Sequence, residues 1–455
     1  MVILILVFIS IFFLVVNYAF SDRDVLQPSV VFCFINLVSA IIAFIMYLVY
    51  GIEFHWNTVV VLSVGMGIFS LINAISWFLQ KKRLYFGIKK EYRIEPSRLK
   101  ISSFWIIAFL VFEFIIVCFR ISYIRKVVYA IYGKSYGLLE MAGKYNNIVK
   151  NQSYALRLAS IEPNKIYSIG WPLCISFNFV LCGVGFYRKT KDGRFPFLYL
   201  IPFFLLVLSS FLGGGRTAAF RYILAFAIMH IIISRNGKQS YREDNSRIVR
   251  RLIPIVVIII VILGFSINII GRKNNIPVFE YATAYIGAPL YNLDVFYNKQ
   301  FMTSSLFGQQ TFQPLYQFLG THLRINEFIY DLDLPYLRYN GHYLGNVYTM
   351  YYPYIKDFGW FGIISLTTIM ACYYAFTYRR LMRFDQNCLG VSLFLYAYLF
   401  NDLVMALFAN KFYETLGTTT FFVVCFGVIV FWGLVKQGYL SSGFHYFGKN
   451  DSLGT

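Results

Sequence analysis

The chain has 455 residues, 58% of them hydrophobic and only 14% charged, with a mean hydropathy of +0.60. That composition excludes an ordinary soluble enzyme and points to long apolar segments buried in a bilayer. The formal net charge of +20 calls for no nucleic acid, because lysine and arginine beside membrane spans set their orientation and meet anionic lipid.

Eleven apolar stretches are predicted as helices, at 2–20, 28–50, 58–79, 101–120, 166–187, 197–212, 218–234, 252–270, 360–379, 388–409 and 418–436. Most are near the roughly 20 residues that cross a bilayer, so the expected fold class is an all-α polytopic membrane protein. The first stretch lacks a basic leader and a small-residue cleavage site and reads as a retained helix. Loops 21–27, 80–100, 188–196, 235–251 and 379–387, with the tail from Lys436, hold 24 of the 41 basic residues. In an eleven-helix arrangement they all fall on one side, which the positive-inside rule makes cytoplasmic. The N-terminus is then outside and the C-terminus inside. The chain divides into membrane helices over 1–270, a large extracytoplasmic loop over 271–359, three further helices over 360–436 and a cytoplasmic tail over 437–455.

Along the chain, the first charged residues within the predicted spans are Glu113 and Arg120, seven residues apart on one helix face, and an internal ion pair between them is expected. Segment 121–165 is too polar to span; within it, 136–161 has enough apolar positions for a helix lying along the surface, in the manner of a lid. Next comes Gly213-Gly214-Gly215-Arg216-Thr217, between two apolar runs. Glycines permit a tight turn and close approach of a ligand, and a helix beginning at Arg216 turns its free N–H groups outward. An arginine fork beside such a terminus suits a phosphate or diphosphate. An arginine there also suits simple snorkelling to lipid headgroups. Arg221 follows on another face of the same helix.

Residues 271–359 contain 13 of the 37 tyrosines. A loop of that length without a function is uncommon. Tyrosine offers a flat face to sugar rings and a hydroxyl to their polar edges, and it also gathers at membrane interfaces. The segment also carries Glu280, Asp294, His322 and His342, and its basic residues, Arg272 and Arg324 among them, could hold phosphate. Asn401 and Asp402 place an acid within the tenth predicted helix, where Arg216 or Arg221 is its expected partner. The seven cysteines fall within or at the ends of predicted spans, with no metal-binding spacing. Asp331-Leu332-Asp333 is a weak metal-site signal in the absence of a cytoplasmic segment long enough for a sugar-nucleotide domain, so no metal or cofactor is expected.

Gly214 to Thr217, together with Asn346, Tyr348 and Thr349 and then Asp357, Gly359 and Gly362, carries a resemblance. In their order these stretches resemble the "GGRT" and "N-x-Y-T … D-F-G-x-x-G" motifs of the Wzy-type oligosaccharide repeat-unit polymerases of bacterial surface polysaccharides. Asp24 to Ser29 looks like that family's entry to its second helix. Some members also carry an arginine and a glycine separated by fifteen residues in outer loops; here Arg272 to Gly287 has fourteen between and Arg324 to Gly341 sixteen, so those roles are not transferable.

The resemblance implies a GT-C-like glycosyltransferase of the bacterial cytoplasmic membrane, working without nucleotide or metal. It implies donor and acceptor oligosaccharides linked to undecaprenyl diphosphate, and a flippase and a chain-length regulator as partners. The growing glycan would pass to the non-reducing end of a fresh unit. Arg216, with Thr217, Gly214, Gly215, Arg221, Arg272, Arg324, Asn346, Tyr348 and Asp357, would bind substrate. The acceptor hydroxyl would need a base, for which His322, His342, Glu280 and Asp294 are candidates and His342 the first choice. An O-antigen ligase would use the same donor, and a lipid-linked oligosaccharide flippase would also want arginines and aromatics, although no internal repeat is evident.

Overall fold

The computed structural model describes residues 1–81, 99–151, 161, 163–213, 216–236, 245, 250, 278–298, 304–332, 334–382 and 387–441. Among these, eight helices are long and apolar enough to cross a membrane. They are α1 (Val2–Phe20), α2 (Pro28–Tyr50), α3 (Trp56–Lys81), α4 (Ser103–Tyr132), α6 (Lys165–Asp192), α8 (Thr217–Arg235), α12 (Tyr351–Leu381) and α15 (Thr419–Lys436). Two shorter apolar helices, α7 (Leu200–Ser210) and α13 (Val391–Val404), lie among them. The chain is therefore an all-α, multi-pass membrane protein. The predicted span 252–270 lies outside the described residues. The remaining elements are α5 (Leu138–Asn151), α9 (Val278–Ile286), α10 (Ala288–Asn298), α11 (Gln313–Leu323), α14 (Lys411–Leu416) and a hairpin of β1 (Leu337–Tyr339) with β2 (His342–Gly345).

Two boundaries depart from expectation for local reasons. Helix α4 continues well past 120, because no helix breaker intervenes before Gly133 and because Ile124, Val127 and Val128 form a small apolar cluster with Met141 and Ile148 of α5. Within the stretch 136–161, where a helix is expected, the described residues form α5, packed against the C-terminal half of α4. Helix α12 starts at Tyr351 rather than 360 and bends at Gly359, whose φ of 59° and ψ of −139° belong to glycine. Its first part is rich in buried tyrosines; its second part is the long apolar stretch that suits a membrane span.

Helix ends bearing the basic loops come together at one face. The Asp24 carboxylate accepts from Arg235 at 2.8 Å and from the Tyr378 hydroxyl at 2.7 Å, tying the α1–α2 turn to the last turns of α8 and α12. Arg379 donates to Ser76 at 2.7 Å and to Asn73 at 3.0 Å on α3, and Asn73 in turn accepts from Gln27 at 2.7 Å. The start of α4 joins the same face, since the Ser102 amide donates to Leu440 beyond α15. These buried side chains are paired with one another, as polar groups away from water must be. Toward the surrounding lipid the helices present Phe8, Phe12 and Val15 of α1 and Phe426 and Ile429 of α15, all exposed.

At the opposite face, α9, α10, α11 and the hairpin form a cap over the ends of α2, α3 and α12. The hairpin turns through Asn340 and Gly341, both with positive φ, 47° and 82°, the left-handed pair that a two-residue hairpin turn requires. Its tip is fixed to the loop after α2: Asn340 donates to the Tyr50 carbonyl and the Tyr339 hydroxyl to that of Gly51, each at 3.1 Å.

Candidate functional site

Helix α8 supplies the first half of the site. Its C-terminal Arg235 is fixed at the basic-loop face, and 19 residues rise about 28 Å, close to the roughly 30 Å of a hydrocarbon core. Arg216 and Thr217, at its other end, therefore lie at the cap side of the bundle. Arg216 occupies the N-cap position and is half-buried, and Thr217 is exposed. Gly214, Gly215 and Arg272 lie outside the described residues.

One turn into the helix, Arg221 meets Asp402 of α13 at 2.6 Å and the Thr415 hydroxyl of α14 at 3.0 Å. Its guanidinium also stands 4.8 Å from the centre of the Tyr398 ring. Asn401 donates to the same Asp402 oxygen at 3.3 Å. Of the two arginines expected as partners of Asp402, Arg221 is the one that pairs with it. The acid therefore serves an arginine at the cap end of the bundle.

The expected Glu113–Arg120 pair does not form. Glu113, wholly buried, accepts from Asn178 of α6 at 3.2 and 3.3 Å. Seven helical residues rise about 10 Å, too far for hydrogen-bond contact unless both side chains bend toward each other along the helix. Arg120 instead leans over the Trp171 ring at 4.5 Å, in cation–π geometry, and toward Gly213. A β-carbon on Gly213 would lie 2.8 Å from Arg120 Nη2. At this glycine, then, the close approach is made by the protein's own guanidinium. Leu212, its neighbour, packs on the α4–α5 cluster, so α5 lies against this turn.

In the cap, two of the four candidate bases come together. His342 Nδ1 is 4.0 Å from Glu280 on α9, and the other Glu280 oxygen accepts from the Tyr343 amide. The His342 ring stacks on Tyr50 with centroids 4.0 Å apart. Asp294 is separate: buried, it accepts from the His55 amide at 3.0 Å, His55 Nδ1 at 2.7 Å and the Thr58 hydroxyl at 2.6 Å. It thereby caps the start of α3 and leaves His55, which is exposed, with a fixed ring. His322 is exposed, and its Nδ1 bonds the Phe318 carbonyl of its own helix at 2.8 Å.

The remaining sequence candidates serve mainly as framework. Asp357 accepts from the Gln310 and Thr311 amides at 3.1 and 2.7 Å and from the Ser304 hydroxyl, so protein donors fill its carboxylate. The Tyr348 hydroxyl donates to the Pro335 carbonyl at 3.0 Å, and its ring lies against Tyr352. Arg324 is exposed at the end of α11, with a left-handed φ of 58°. Asn346 is half-buried just past β2. Tyr330, whose hydroxyl donates to Gln309, is pushed above its ordinary pKa by burial and then by Tyr316 and Asp357, so it remains a neutral donor.

A short connection joins the two halves. The turn between α13 and α14 joins the helix ends that carry Asp402 and Thr415, while its Phe408 stacks on Tyr285 of α9 at 5.6 Å. The arginine cluster and the Glu280–His342 pair thus flank one turn. Sequence reasoning missed the Thr415 and Tyr398 contacts to Arg221 and the Asp294–His55 pair. Only the last had a local signal, a histidine immediately before an apolar helix. Among the described residues, no group of three His, Cys, Asp or Glu side chains gathers as metal ligands. No protein-family model, curated protein or solved structure matches the chain.

Proposed function

We propose that this protein joins lipid-linked oligosaccharide units into a polysaccharide, as a metal- and nucleotide-independent glycosyltransferase of the bacterial cytoplasmic membrane. The observation that carries the reading is the placement of Arg216, Arg221 and the start of α8 at the same face as the Glu280–His342 pair, opposite the ends that bear the basic loops. On this reading the basic loops face the cytoplasm, with the N-terminus outside, the C-terminus inside and eleven spans in all. Polymer would then be built on the outer side.

The chemistry requires two things. The leaving group is a polyisoprenyl diphosphate, whose negative charge grows as the glycosidic C–O bond breaks. Cationic donors aimed at that charge lower the barrier most. Arg216 at the helix terminus supplies them, while Arg221, already held by Asp402, shapes the positive field beside it. The acceptor hydroxyl must lose a proton as its oxygen attacks the anomeric carbon, and His342, oriented by Glu280 and Tyr50, is the acceptor of that proton. Tyrosines of the cap offer faces to the sugar rings.

Disrupting the gene and resolving the surface polysaccharide on a gel tests this reading. A single repeat unit on the acceptor, in place of the ladder, is expected. Complete loss of surface glycan would overturn the polymerase reading in favour of a ligase or a flippase.

A further inference from the structure

Arg120 is a cation in the second half of α4, and among the described residues no carboxylate stands beside it. From Ser103 to Arg120 α4 rises about 26 Å, most of the bilayer core, so the guanidinium stands at the depth of lipid headgroups on the cap side. The side chain is only 9% exposed, and its Nη1 has no hydrogen-bond partner. A buried charged donor left unmatched is costly, and the Trp171 face offsets only part of that cost. Glu113, the nearest acid on the same helix, is engaged by Asn178. Tyr145 of α5 and Tyr222 of α8 both lie within electrostatic range of Arg120, and the Tyr222 hydroxyl is within range of Arg221 as well. Tyr145 stands edge-on to Tyr123 of α4. The surroundings therefore offer a cation, phenolic hydroxyls and a tryptophan face, and, among the described residues, no anion.

We propose that Arg120, over Trp171 and beside Gly213, binds the phosphate group of a membrane-embedded lipid. The anion satisfies the free guanidinium nitrogen, and the start of α8 lends its N-terminal field to the same place. Gly213 is part of this site because a side chain there would displace the guanidinium. Assigning the phosphate to the diphosphate of the donor lipid rests on the polymerase reading; the existence of the site does not.

The experiment uses the full-length protein in nanodiscs of neutral lipid, with bound lipid measured by native mass spectrometry and by the shift in thermal midpoint. The probes are undecaprenyl diphosphate, phosphatidylglycerol and the uncharged undecaprenol. Undecaprenyl diphosphate is expected to bind more tightly than undecaprenol by tenfold or more. Arg120→Gln should remove that preference, while Arg125→Gln, at an exposed position on the same helix, should leave it intact. Gly213→Ala should weaken binding without changing charge, which keeps the test informative if Arg120→Gln folds poorly. Loss confined to undecaprenyl diphosphate identifies a polyisoprenyl diphosphate as ligand; equal loss for phosphatidylglycerol identifies a headgroup phosphate. Both outcomes uphold the site.

If Arg120→Gln and Gly213→Ala bind both phospholipids as the unaltered protein does, a water fills the place and the inference falls. The polymerase reading is judged separately, on the polysaccharide gel, and survives that result.

Discussion

Arg221 and Asp402 lie 2.6 Å apart across 181 residues of chain, fastening the first turns of α8 to the last of α13. The acid is wholly buried and the arginine nearly so. Removing one partner of such a pair strands the other, at a cost of about 3–5 kcal/mol. Asp402→Ala and Arg221→Ala should each lower the thermal midpoint in detergent markedly. The double variant Arg221→Met with Asp402→Leu should recover most of the loss. A double variant no more stable than the worse single one would show that the pair does not act as a unit.

Arg216 is the sharpest test of donor binding. Arg216→Lys keeps the charge but loses the planar fork. If the fork is used in the transition state, a charged hydrogen bond of roughly 1.5–3 kcal/mol corresponds to about a ten- to hundredfold loss of activity. Polymer formed from a lipid-linked unit in proteoliposomes measures it. Arg216→Ala should be worse, and unchanged polymer with lysine would mean that the side chain only reaches for headgroups.

The histidines of the outer segment separate by geometry. His342→Gln and Glu280→Gln should both depress polymer formation, the former by roughly 10²–10⁴-fold, the range of a general base. His322→Gln should leave it unaltered, because, unlike His342, its ring has no carboxylate beside it among the described residues and is held only to its own helix through Nδ1. Equal effects of the two histidine substitutions would remove the basis for choosing His342.

What the sequence made legible follows from how far each signal reaches. Spans were visible because hydropathy is a local property, and the glycines at 133 and 359 act on their own backbones. The asymmetry of basic loops anticipated which helix ends meet, as Asp24, Arg235 and Tyr378 do. Asn340-Gly341 carried a hairpin signal, though no hairpin was expected there. Pairings between distant segments had no such trace. Asp294 and His55 are 239 residues apart, and neither the spacing nor the composition of either segment names the other. Glu113 and Arg120 shared a helix face, and the face proved a poor guide because each side chain found a partner on another helix. Asp357 stood in a recognisable stretch, but only the coordinates reveal that loop 304–311 occupies its carboxylate.

Topology is tested by labelling. Single cysteines placed in 80–100 or 235–251 should resist an impermeant thiol reagent in intact cells. Cysteines at exposed positions of the cap, such as Tyr336 and Asn326, should react. The reverse pattern would place the cap in the cytoplasm and remove the outer-face mechanism.

Asp24 also constrains how the protein is made. Its partners Arg235 and Tyr378 are 211 and 354 residues further along, so a ribosome that has delivered α1 and α2 has delivered an acid whose counter-charge does not yet exist. Contacts this distant in sequence form late. Until α8 and α12 arrive, the first helical pair must keep that carboxylate at the aqueous boundary. A chain broken off before Tyr378 would keep the acid short of one of its partners. The Asp24 carboxylate thus gains its full set of partners only once α12 has been inserted.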